Sequence, residues 1–160
     1  MNYSTQMEAA RKNIITEQMR IVAQKEHRDA EEIRALVASG KVVICANKLH
    51  KCLDPNGVGS MLRTKINVNL GVSRDCKDYD VEMSKVMEAV NMGAEAIMDL
   101  SSHGDTTEFR RKLTRECPAM IGTVPVYDSV IHYQRDLATL TAKDFIDVVR
   151  LHAQDGVDFV

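Results

Sequence analysis

Residues 79–100, YDVEMSKVMEAVNMGAEAIMDL, carry the reading that decides the fold. Met83, Val86, Met87 and Val90 stand at i, i+3, i+4 and i+7, with Glu82, Lys85 and Glu88 facing away, so the first part is an amphipathic helix. Gly93 stops that helix, and AEAIMDL follows as a short apolar strand. The same grammar returns near the end of the chain. Thr141 and Asp144 make a capping pattern for AKDFIDVVRLHAQ (142–154), Gly156 stops it, and VDFV (157–160) opens another strand.

Working outward, TKINVNLG (64–71) alternates and is partly β-branched, as a strand does. Asp105 and Glu108 cap the helix TTEFRRKLTRE (106–116), and Pro118 ends it. AMIGTVPVY (119–127) reads as the third strand of this series. Residues 63–160 thus run β-α-β-α-β-α-β, which calls for parallel βα units. Residues 1–62 form a mainly helical N-terminal region. It holds EQMRIVAQKE (17–26) behind a Thr16 cap and DAEEIRALVASG (29–40) stopped by Gly40. KVVICANK (41–48) is a short strand, and LDPNGVGS (53–60), with Pro55, Gly57 and Gly59, reads as a loop.

A doubly wound sheet and a (β/α)8 barrel both fit this order. Gly71 stands alone after its strand, without the glycine-rich turn of a dinucleotide fold. A full barrel takes about 250 residues. The expected fold class is therefore α/β: an N-terminal helical segment, then the first βα units of a (β/α)8 TIM-type barrel, truncated at the fourth strand. A half-barrel that borrows strands from a second chain is the other possibility.

Composition narrows the function classes. The 160 residues are 44% hydrophobic and 28% charged, with 21 Lys+Arg against 23 Asp+Glu. That balance offers no basic field for nucleic acid or an anionic membrane surface. No apolar run approaches the ~20 residues of a membrane span, and the N-terminus lacks a signal-peptide core. Cys45, Cys52, Cys76 and Cys117 are widely spaced and read as free thiols of a cytoplasmic protein.

In a parallel barrel the chemistry sits on the loops at the C-terminal strand ends. Asn69, Met98 and Tyr127 follow one another at intervals of 29 residues, which sets them at one height on neighbouring strands. They bring an amide, a soft apolar wall and a phenol to one pocket. The same residues also suit a turn former, core filler and a surface cap. Cys45, His50 and Cys52 lie close in CANKLHKC, but the spacing matches no zinc motif, so loop thiols and a surface histidine fit better. His103 lies in the βα loop SSHGD, and His152 lies on an apolar helix face as a satisfied core histidine.

Four stretches in order, TQMEAARKNIITEQM (5–19), LRTKINVNLG (62–71), GAEAIMDLSS (93–102) and IGTVPVY (121–127), resemble the phosphomethylpyrimidine synthase family. That family contains the thiamin pyrimidine synthase and its paralogue, 5-hydroxybenzimidazole synthase of anaerobic cobamide (vitamin B12) assembly. The resemblance implies a (β/α)8 radical S-adenosylmethionine enzyme that rearranges 5-aminoimidazole ribotide, working as a cytoplasmic homodimer. It also implies a [4Fe-4S] cluster, S-adenosylmethionine and a divalent metal such as zinc, all with ligands beyond residue 160. The family's ribotide contacts on its first three strands match Asn69, Met98 and Tyr127. No metal ligand is carried onto this chain, which would be inactive alone. At Cys45–His50, Val72–Cys76 and Ser101–Gly104 the chain departs from thiamin-branch sequences, and on that ground the expected product is 5-hydroxybenzimidazole. The pyrimidine from the same substrate, or a non-catalytic ribotide-binding module, are the alternatives.

Overall fold

The computed structural model describes residues 3–160. The chain forms two compact units, one of residues up to Cys45 with Pro55–Lys65, the other of Ala46–Asp54 with Ile66–Val160.

The first unit begins with three helices, α1 (Gln6–Arg11), α2 (Glu17–Lys25) and α3 (Ala30–Ala38). Each starts behind a side chain that accepts an otherwise unpaired backbone N–H: Thr5 from Glu8, Thr16 from Met19, Asp29 from Glu31. Met19, Val22, Ile33 and Val37 turn inward and bury their side chains with Val42 and Ile44 of β1 (Val42–Ile44). β1 pairs antiparallel with β2 (Gly57–Gly59), which lies inside the stretch expected to be a loop. The signal was hidden because glycines build this strand. A Cβ on Gly59 would stand 2.2 Å from the Lys41 carbonyl oxygen, and one on Gly57 would stand 2.8 Å from Val22. Only bare backbone fits, and bare backbone carries no hydrophobic alternation.

In the second unit β3 (Asn67–Leu70), β4 (Ala96–Asp99) and β5 (Met120–Thr123) form a parallel sheet in that order. They are joined through α4 (Tyr79–Asn91) and α5 (Thr106–Glu116). Three registered rows matter: Val68–Ile97–Ile121, Asn69–Met98–Gly122 and Leu70–Asp99–Thr123. Because side chains alternate across a sheet, the first and third rows share one face and the middle row takes the other. Ile97 and Ile121 pack with Met83 and Val86 of α4 and with Phe109 and Leu113 of α5. Tyr79 stacks on Phe109 at 5.8 Å between ring centroids. Glu82, expected to face solvent, is turned into this layer and is 2% exposed.

α7 (Ala142–Gln154) spans the expected residues and has the full reciprocal capping box. It packs on the same face as α4 and α5, since His152 meets Thr123 of the third row. The expected fourth strand exists as one parallel bridge, Gly122 to Phe159. Among the described residues the sheet is open and no barrel closes, so the barrel expectation is met only as parallel βα units with their helices on one face.

One element was missed, and it moves a site residue. The third strand ends at Thr123, and Pro125 begins α6 (Pro125–Tyr133). Proline suits the first helical position because its missing N–H would have no partner there. Val124 and Val126 had made the stretch look like strand. Tyr127 is consequently a residue of the first turn of α6, half exposed, and it does not share the row of Asn69 and Met98. Gly122 holds that place.

Candidate functional site

The open face of the sheet and the C-terminal strand ends form the candidate site. Asn69 and Met98 are paired by register on the open face, as their spacing predicted. Asn69 is exposed and accepts a hydrogen bond on Oδ1 from Asn67 Nδ2 at 3.2 Å, which leaves its own amide hydrogens directed elsewhere. Met98 is half-buried beside it. Together they present a polar edge and an apolar wall on neighbouring strands, a combination suited to a small ligand with both apolar and polar parts.

The strand ends behind that face are tightly tied. Gly71 follows β3 with φ +146°, and a Cβ there would stand 2.5 Å from the Ser101 nitrogen. Its N–H donates to Glu82 Oε2, while the Val72 N–H donates to Ser101 Oγ at 2.9 Å. Ser101 in turn donates from N and Oγ to Asp99 Oδ1. Burial pushes the Asp99 carboxyl up, against the bonds from Ser101 and the charges of Arg110 and His152. Glu82 also takes hydrogen bonds from Cys76 Sγ at 3.1 Å and Lys85 Nζ at 2.5 Å. One carboxylate on α4 thus fixes both the end of β3 and the loop after it. Val72 points into the core between sheet and helices, away from the open face. His103 lies half-buried on the loop between β4 and α5.

Two buried networks escaped the sequence. Asp128 of α6 accepts hydrogen bonds from Thr106, from Arg110 Nη1 at 3.2 Å and from His152 Nε2 at 2.8 Å. His152 meets Thr123 through its other nitrogen at 2.8 Å, and Arg110 also binds Asp155. Burial raises the Asp128 carboxyl, but the bonds from His152 and Thr106 and the Arg110 charge outweigh it and hold the pKa at about 2. His152 is therefore a satisfied core histidine. The second network corrects the reading of His50 as a surface residue. Its side chain is fully buried, with Nδ1 2.7 Å from Asp158 Oδ2 and Nε2 2.7 Å from the Cys117 carbonyl oxygen. Burial opposes the charged ring, yet the Asp158 carboxylate beside it raises its pKa. Asp158 takes further hydrogen bonds from the Asn47 and Ile121 backbone nitrogens. No local pattern announces either network, because partners such as His50 and Asp158 lie 108 residues apart.

The residues present do not fit an iron–sulfur cluster. Cluster ligands are thiolates held close together. Burial pushes the Cys52 thiol up and Cys117 to about 11, and the Glu82 hydrogen bond raises Cys76. Among the described residues no three His, Cys, Asp or Glu side chains are grouped to hold a metal ion. No helix among them is long and apolar enough to cross a membrane.

Comparison with known proteins joins these features to a family. The profile of the Radical SAM ThiC family matches residues 5–160. The phosphomethylpyrimidine synthase of Alkaliphilus oremlandii is 60% identical over all 160 residues. Those of Clostridioides difficile and Clostridium kluyveri are 59% and 57% identical over the same length. In each case the match covers 100% of this chain and 37% of the relative, so the chain spans little more than a third of the proteins it resembles.

Proposed function

This chain belongs to the Radical SAM ThiC family, and from that membership we propose that the complete protein is a phosphomethylpyrimidine synthase, a radical S-adenosylmethionine enzyme that converts 5-aminoimidazole ribotide to the thiamin pyrimidine. The observation that carries the reading is the 57–60% identity, across the whole chain, to proteins of that name. In this reading the open face of the sheet is the inner wall of a (β/α)8 barrel. The parallel order β3-β4-β5 with its helices on one face is what such a barrel wall requires.

Asn69 hydrogen-bonds polar atoms of the ribotide, and Met98 packs against its apolar part. Tyr127 contributes its phenol from the first turn of α6, one step out from the strand row. A [4Fe-4S] cluster and S-adenosylmethionine go with the family, and a divalent metal such as zinc belongs to the same proposal. Among the described residues no side chains are grouped to hold a metal ion, and in this reading the part of the chain is to bind, orient and shield the ribotide. Cytoplasmic location and a homodimer complete the reading.

The benzimidazole product is the second reading. It rests on Cys76 and His103, which lie on loops after β3 and β4. Val72 no longer supports it, because that side chain belongs to the core. Anaerobic turnover of the full-length protein with reconstituted cluster, ribotide and S-adenosylmethionine separates the two. Mass spectrometry should find a phosphorylated pyrimidine; 5-hydroxybenzimidazole as the main product would overturn the first reading in favour of the second.

A further inference from the structure

The row Asn69–Met98–Gly122 continues through the parallel bridge to Phe159, so four strand positions lie side by side on the open face. The third position has no side chain, and the fourth fills its space. A Cβ on Gly122 would stand 2.3–2.4 Å from Cε2 and Cζ of the Phe159 ring. The ring therefore lies over Gly122 and supplies the third side chain of the row, the part the spacing assigns to Tyr127.

The backbone that carries the ring is tied to β5 on both sides. The Phe159 carbonyl accepts from Thr123 N at 3.2 Å, and Asp158 N and Phe159 N donate to the Ile121 carbonyl at 2.9 and 3.3 Å. The Asp158 carboxylate takes the Ile121 N–H at 2.8 Å and the buried His50 ring. An aromatic face fixed in this way loses little freedom when a flat ligand settles on it. Phe159 is only partly buried.

We propose that Phe159 is a ligand-contacting residue, the aromatic platform on which the planar heteroaromatic ring of the ribotide stacks, with Gly122 kept bare to let it lie there. The proposal deepens the ribotide reading and rests on it. Stacking acts on the base, whereas Asn69 acts on polar atoms, so the two contributions separate by ligand.

The test uses the full-length protein and two probes, 5-aminoimidazole ribotide and ribose 5-phosphate, which lacks the ring. Phe159→Leu should weaken the ribotide by about three- to tenfold, in line with the worth of one aromatic contact, and leave ribose 5-phosphate unchanged. Phe159→Tyr should restore ribotide affinity. Equal weakening of both probes, or failure of Phe159→Tyr to restore binding, would make Phe159 a structural residue and overturn the proposal. An unchanged ribotide affinity in Phe159→Leu would do the same while leaving the ribotide reading intact. If the parent protein binds no ribotide, that reading fails and takes the platform with it. Gly122→Ala guards against a misfolded Phe159→Leu: it displaces the ring without removing it and should reproduce the selective loss.

Discussion

Asp128 shows how much a single residue carries here. It lies buried among Arg110, His152 and Thr106, and its carboxylate offsets the positive charge of Arg110. Removing one partner of such a group leaves the other desolvated and unpaired, so Asp128→Ala should cost about 3–5 kcal/mol in a urea unfolding titration. The pH dependence has a definite sign. The carboxyl titrates near 3.8 when unfolded and at about 2 in the fold. Its stabilisation is complete above pH 3.8 and is lost as pH falls to about 2. The variant should lack that part of the acid sensitivity. An equal slope in both proteins would show that Asp128 is not the group responsible. Only His152, on the apolar face of its helix, was legible in the sequence; Arg110 and Asp128 lie on separate helices, and only the packing of α5, α6 and α7 brings them to it.

At the scale of elements, legibility followed local signals. α4 was readable from its apolar stripe and the glycine that stops it, and α5 and α7 from the acid or threonine that caps each. α6 has no side-chain cap and opens on Val-Pro-Val, so it passed for strand and carried Tyr127 with it. The spacing of Asn69 and Met98 succeeded because one βα unit does separate them in register, but the next unit brings the row to Gly122. β2 stayed hidden in its glycines. The join of β3 to its loop makes a prediction of its own. Gly71→Ala combines a φ of +146° with a Cβ 2.5 Å from Ser101 N and 3.0 Å from Asp99 Oδ1. Gly93 also has a positive φ, +99°, but open space around it. Gly93→Ala should cost about 1 kcal/mol from backbone strain alone. Gly71→Ala should cost about 1–3 kcal/mol more, because the neighbouring strand must move. Equal losses for the two variants, read from thermal or urea unfolding, would show that Ser101 and Asp99 yield without cost.

For the molecule as a whole, the proposed ribotide site lies on one face of a parallel sheet whose other face is packed with helices. The core row Val68–Ile97–Ile121 and the open row Asn69–Met98–Gly122 are neighbours on the same strands, so stability and binding should separate by face. Asn69 is exposed and its loss removes little packing, whereas a buried hydrogen bond to bound ligand is worth about 0.5–1.5 kcal/mol. The most direct measurement is the dissociation constant of 5-aminoimidazole ribotide for the full-length protein and its Asn69→Ala variant, with unfolding followed on both. The account predicts affinity weakened by about two- to twelvefold with an unchanged unfolding midpoint. Equal affinity in the two proteins would contradict it and remove the open face as the ribotide site.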